Sequence, residues 1–236
     1  MKVAVYWSGG KECCLAYHKA IRQGHDVACL LTFKYMDPYN FHSFPIMELQ
    51  AKTLRTPQIK AEIKNSKDPM PEMTNALARL KKEEGIEGFV TGDIAGAGCA
   101  RVHQVYYELM CDELGMKLVM PLQDPSGDTY DVLKEEILGE GLRPILNCVN
   151  MAYFGEEWLG REINEISIND LKALADKQNI DVCSEDGIGY HSMVMDAPFF
   201  GDAIKIDKFT KGIYKDRRNR SWLYIDSKEV SLRPKK

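Results

Sequence analysis

The stretch VAVYWSGGKECCLAYHKA, residues 3–20, decides the fold. An apolar run, KVAVYW at 2–7, stops at Ser8-Gly9-Gly10-Lys11, and an amphipathic helix begins at once. In that helix Cys13, Cys14, Tyr17, Ala20 and Ile21 fall on one stripe at helical spacing, and Gly24 is placed to end it. Two glycines and a lysine between a strand and a helix have two readings: a tight turn with a surface lysine, or a cradle for phosphate. A helix start leaves backbone N–H groups unpaired, glycine lets the chain fold closely around an anion, and the dipole favours negative charge there. The dipole alone contributes only about 0.3–1 kcal/mol. Holding a triphosphate would therefore also need the Ser8 hydroxyl and the Lys11 ammonium, together with Mg²⁺.

Working outward, β-rich runs recur at 2–7, 26–33, 57–63, 87–91 and 116–120. Helical patterns lie between them near 12–22, 45–55, 71–84 and 101–114. In the last of these, Val102, Val105, Tyr106 and Leu109 form an apolar stripe, and Gly115 stops the helix. Such alternation predicts an α/β unit, a Rossmann-like parallel sheet with helices on both faces, with ligands at the carboxyl ends of its strands. The pattern breaks at QDPSGD, 123–128, where we place a boundary between a first domain, 1–124, and a smaller α+β domain, 125–236. The second part reads as a helix near 128–139, a strand LRPILNCV and a polar helix near 168–179. Strand signals at 190–195, 203–207, 212–215 and 221–225 then follow without helices between them, which predicts antiparallel pairing.

Composition narrows the class. The 236 residues carry a net charge of −4, which argues against broad attraction to nucleic acid. The basic run KDRRNR at 215–220 sits between two strand signals and reads as a solvated hairpin turn. No apolar run reaches the roughly 18–20 residues of a membrane span, and the first apolar segment is too short for a signal peptide. Seven cysteines with no C-x-x-C point to small core thiols in a reducing, cytoplasmic setting. Neither a Walker A loop nor a dinucleotide fingerprint is present; GAGCAR at 96–101 has Arg101 where the third glycine would stand.

SGGKEC directly after the first strand resembles the S-G-G-K-D-S loop of the PP-loop, or N-type, ATP pyrophosphatases. Within them the chain resembles the diphthine–ammonia ligase family. FHSFP at 41–45, TGDI at 91–94, CDELGMKLVMPL at 111–122, EWLGREI at 157–163 and YHSMVMDAPFF at 190–200 follow that family's segments in order. The resemblance implies an adenine nucleotide alpha-hydrolase-like first domain. It also implies a cytoplasmic enzyme that activates a carboxylate with ATP, releases pyrophosphate and lets ammonia attack the adenylate. The family's acceptor is diphthine on elongation factor 2, and self-association is common in proteins of this kind.

Carried onto this sequence, the resemblance makes Lys11, Glu12, Asp186 and Asp196 the catalytic candidates. Ser8, Gly9, Gly10, Lys11, Cys13, Thr32, His42, Gly92 and Asp93 are candidates for ATP, with Glu12 the candidate Mg²⁺ ligand. Glu185, Tyr190, His191 and Arg101 are candidates for the acceptor. The chain also departs from the family: its glutamate before the tyrosine falls on Gly189, the serine after the loop acid is Cys13, and an arginine becomes Tyr106. These changes leave a non-catalytic nucleotide sensor open as an alternative, which the intact Lys11 and EWLGREI count against. RNA base thiolation ranks lower, since it calls for a cysteine pair and a basic surface.

Overall fold

The computed structural model describes residues 1–35, 41–94, 100–123, 129–178, 189–216 and 218–235. Its first half holds β1 (Lys2–Tyr6), α1 (Lys11–Arg22), β2 (Asp26–Tyr35), α2 (Phe44–Leu54), β3 (Gln58–Ile63), α3 (Met70–Glu84), β4 (Gly88–Val90), α4 (Ala100–Leu114) and β5 (Lys117–Val119). The five strands form a sheet in the order β3-β2-β1-β4-β5, with every neighbouring pair parallel. Strand alternation explains why both faces are covered. Val3, Val5 and Trp7 point into a core shared with α1 and α2, while Ala4 points to a second core with α3 and α4. The order reverses between β1 and β4, so the loops after those strands face each other at the carboxyl edge, where ligands bind in such sheets.

The second half contains α5 (Thr129–Lys134), a π-helical turn at Glu135–Gly139, β6 (Arg143–Asn150), a 3₁₀ turn at Glu156–Trp158, α6 (Glu165–Gln178), β7 (Tyr190–Asp196), β8 (Asp202–Lys215) and β9 (Ser221–Pro234). Its sheet runs β7-β6-β9-β8, with every neighbouring pair antiparallel. Leu146, Val149, Met193, Val194 and Leu223 of this sheet join the same core as Val3, Val5 and α1. The two sheets therefore share one apolar interior across α1 and α2. No helix among the described residues is long and apolar enough to cross a membrane.

The α/β reading with a smaller antiparallel part holds, and so does the hairpin at 215–220, where Lys215 pairs with Ser221 across the turn. Three local expectations are corrected. The strand signals at 203–207 and 212–215 belong to one strand, β8, whose register shifts around Lys208. Such shifts let a strand continue through residues that read as a break. The stripe of Val102, Val105, Tyr106 and Leu109 does not face the core: these side chains are 45–54% exposed. A second helical set on α4, Tyr107, Met110 and Cys111, is buried instead, against Phe89 and α3. One helix carries two overlapping apolar stripes, and packing against β4 selects between them. Ile21 on α1 is likewise 44% exposed, at the edge of an otherwise buried face.

Candidate active site

The loop Ser8-Gly9-Gly10 leaves β1 and enters α1 at the point of strand reversal. Gly9 has φ +76, and Gly10 stands at the N-cap of α1 with extended backbone and no side-chain cap. The loop is held from two sides. Buried Gln50 of α2 donates from Nε2 to the Gly9 carbonyl at 2.9 Å and to the Val194 carbonyl at 2.8 Å. Its Oε1 accepts from the Trp7 indole at 3.0 Å. From β7, the Val194 N–H donates to the Gly9 carbonyl at 3.0 Å, and Ser192 Oγ accepts from the Lys11 N–H at 3.3 Å. The second sheet is thus built onto the loop itself.

The loop after β4 closes the site from the other side. Gly92 lies so near the first turn of α1 that a Cβ there would come within 2.7 Å of the Glu12 carbonyl carbon and oxygen and 2.9 Å of the Cys13 nitrogen. Only glycine permits that approach. Next to it Asp93 Oδ1 meets His103 Nδ1 at 3.0 Å, and Gln123 Nε2 donates to the Asp93 carbonyl at 3.2 Å. The adjacent Thr91 hydroxyl is buried with no protein partner among the described residues.

Lys11 is 1% exposed, and a buried ammonium must be paired. Its Nζ contacts the Glu12 carboxylate, lies 3.2 Å from Glu136 Oε2, and sits 5.7 Å from the centre of the Tyr190 ring. Glu136 comes from the π-helical turn and is fully buried. Burial pushes its carboxyl up to about 8, against the pull of Lys11 in the other direction. Beside Lys11, the Ser8 hydroxyl contacts Cys13 Sγ at 3.6 Å, and Cys13 donates to the Gly10 carbonyl at 3.1 Å. Burial raises both neighbouring thiols. Hydrogen bonds from Cys14 and Ser8 bring Cys13 back below its ordinary value, while Cys14 stays well above.

The second sheet brings an aromatic group to the same edge. Phe41 stacks on His191 with ring centres 4.5 Å apart, and His42 meets His191 edge-on at 5.4 Å. Trp222 lies 5.5 Å from both Phe41 and His191. Burial drives the His42 imidazole down to about 4, with Glu12 opposing the shift. Burial, then His42 and Arg220, drive His191 down to about 3. Both rings are therefore neutral at neutral pH and can offer hydrogen bonds but no positive charge. His42 Nδ1 is buried without a protein partner among the described residues.

The remaining candidates separate. Tyr190, His191, His42, Gly92 and Asp93 converge on the loop edge. Thr32 is buried, but its hydroxyl donates to the Trp7 carbonyl at 2.8 Å and accepts from Gln58 at 2.9 Å, so it is occupied within the sheet. Asp196 stands at the far end of β7 from Tyr190, 2.7 Å from Lys235 Nζ and 4.0 Å from Arg143. Arg101 is the second residue of α4, but its side chain, like Glu185 and Asp186, lies outside the described residues. Three site residues were not anticipated from sequence: Gln50, Ser192 and Glu136. Ser192 lay inside a quoted segment; nothing local in the sequence marks the other two.

Gly189 explains one departure physically. Its φ is +67, and a Cβ there would lie 2.7 Å from the edge of the Trp222 ring. A glutamate cannot stand at this position unless Trp222, 1% exposed, moves. Gly189→Glu is expected to lower the thermal midpoint by several degrees, in line with a cost of about 1–3 kcal/mol for overpacking. It is expected to raise no activity, as a melting curve and an ATP turnover assay will show.

Two descriptions of known families match the chain: the diphthamide synthase N-terminal domain over residues 1–118 and the diphthamide synthase C-terminal domain over 128–228. Among curated proteins, a diphthine–ammonia ligase of Danio rerio is 24% identical over 92% of this chain and 90% of its own length. One from Rattus norvegicus is 23% identical over 88% of this chain and 83% of its own length. A crystal structure described as a predicted subunit of tRNA methyltransferase from Methanocaldococcus jannaschii aligns at 15% identity and a TM-score of 0.46, covering 84% of this chain and 98% of that one.

Proposed function

Because this chain belongs to the diphthamide synthase family, and so to the ATP-dependent carbon–nitrogen ligases, we propose that it adenylates a carboxylate, releases pyrophosphate and joins the acyl group to ammonia. The proposed acceptor is diphthine, the substrate in the names of its curated relatives, carried on elongation factor 2. The observation that carries this reading is the loop at 8–11, set at the strand-reversal point with a buried lysine and faced by the second sheet. In this reading 1–124 is the nucleotide-binding part and 125–236 the acceptor-binding part.

The residues present fit a nucleotide. The Thr91 hydroxyl and His42 Nδ1 are buried polar groups with no protein partner among the described residues, at the edge where ligands bind in such sheets. Ser8, Gly9, Gly10 and Lys11 would hold the phosphates, with Cys13 next to them; Gly92, Asp93 and neutral His42 would shape the nucleotide site, and Thr32 would support it from within the sheet. Fixed donors aimed at a departing pyrophosphate stabilise charge as it develops, without reorganising. Tyr190 and His191 would present the acceptor to the same edge, Arg101, Glu185 and Asp186 would act on it too, and Asp196 would brace the end of β7. For Mg²⁺ the fit is narrower. Among the described residues no three His, Cys, Asp or Glu side chains cluster as a metal site. An ion near Glu12 would take most of its oxygens from phosphate and water, as Mg²⁺ commonly does.

The test is ATP turnover with Mg²⁺ and ammonium, with and without elongation factor carrying diphthine, resolving AMP, ADP and pyrophosphate. AMP and pyrophosphate that require both the factor and ammonium are expected. AMP formed equally without the factor would assign a different acceptor, and ATP binding with no AMP under any condition would overturn the reading.

A further inference from the structure

The loop lysine already has a partner before any phosphate arrives. Lys11 Nζ lies 3.2 Å from Glu136 Oε2, and these two side chains are 1% and 0% exposed. Glu136 makes no hydrogen bond to another group through either oxygen among the described residues. It is brought there by a π-helical turn, a local irregularity frequent at functional sites. Among the described residues, the charged and titratable groups facing it are few. From α1 they are Lys11, Glu12, Cys13 and Cys14, and from β7 Tyr190 faces Lys11 across its ring. Lys11 is the only cation among them, and Glu12 adds a second negative charge.

We propose that Glu136 is a positioning residue that holds Lys11 in the empty site and takes up one proton from solvent when Lys11 turns to the phosphates of ATP. This rests on the assignment of Lys11 to phosphate. The proton lands on a Glu136 oxygen, and no other bond forms or breaks. The physical reason is the cost of an uncompensated buried carboxylate: once its single cation is engaged elsewhere and a polyanion lies nearby, the neutral form wins. Burial already holds the carboxyl at about 8 with Lys11 beside it, so the uptake is largest above that pH. Nucleotide affinity is therefore expected to fall as pH rises from 7 to 9.

Calorimetric titration with ATP, without acceptor or ammonium, in buffers of different ionisation enthalpy at pH 8.5 reads the proton count directly. At that pH the nucleotide itself is fully ionised. The wild type is expected to take up more than about half a proton per ATP, Glu136→Gln close to none with binding retained, and Glu136→Asp a restored uptake. Binding without uptake in the wild type, or equal uptake in Glu136→Gln, overturns the proposal while leaving the nucleotide site standing. Absence of ATP binding by the wild type overturns the nucleotide site itself.

A second readout needs no ligand. A carboxyl raised in the folded state from 4.5 to about 8 contributes stability that is complete below pH 4.5 and lost as pH rises through 8. Urea unfolding of the wild type is therefore expected to show a decline over that window that Glu136→Gln lacks. Parallel pH profiles for the two proteins would count against the proposal, even if Glu136→Gln bound no nucleotide.

Discussion

Lys11→Met is expected to reduce AMP formation by at least about 100-fold, up to about 1000-fold, at saturating ATP. That range corresponds to the roughly 2.7–4 kcal/mol lost when one well-aimed donor to a developing charge is removed. Methionine has nearly the same length, so the packing against Tyr190 and the first turn of α1 is kept while the ammonium is lost. The fold should survive below about pH 7, because Glu136 is then largely protonated and tolerates the loss of its cation. Above pH 8 the variant should lose more stability than the wild type, since Glu136 without its cation stays protonated in the fold while the unfolded chain ionises it, a gap that widens as pH rises. Single-turnover assays at pH 7 and unfolding curves at pH 6 and 9 check the two parts separately. Near-normal turnover by Lys11→Met would remove the loop from the chemistry altogether.

Gly92→Ala is the second large effect. The added methyl would meet backbone atoms of Glu12 and Cys13, not the flexible end of a side chain, so the β4 loop or the start of α1 has to shift. Overpacking of this kind costs about 1–3 kcal/mol. The shift falls on the elements that place Lys11, and a misplacement near 1 Å can cost about 100-fold in rate. The variant is expected to fold with a lowered melting temperature and to lose about two orders of magnitude in AMP formation. Gly85→Ala is an informative control: unlike Gly92 it has a positive φ, +66, but nothing lies within 4 Å of the added carbon. It should cost some stability through backbone strain and leave turnover unchanged.

The first sheet was legible because its signals are local. KVAVYW reads as a strand, the stripe after Gly10 reads as a helix, and Gly24 and Gly115 end their helices with φ of +81 and +57. Ser8 to Lys11 was legible as a candidate anion loop because the glycines and the lysine are consecutive. What escaped depends on partners distant in the chain. Glu136 is one acidic residue in EEILGEG and gains its meaning from Lys11, far earlier in the sequence. Gln50 is one polar residue in an amphipathic helix until β1 and β7 close around it. The two stripes of α4 are equivalent as patterns, and only Phe89 and α3 decide which is buried. Glu185 and Asp186 lie outside the described residues.

The bonds from Gly9 and Lys11 to Val194 and Ser192 have a consequence for ancestry and engineering. A splice at QDPSGD would look like a clean exchange of modules, yet the first half of a hybrid would bring a loop fitted to a strand it no longer meets, and the second half a strand fitted to another loop. The two halves are constrained to diverge in step, and a new acceptor has to be accommodated by changes that leave the crossing at Ser192–Val194 in register.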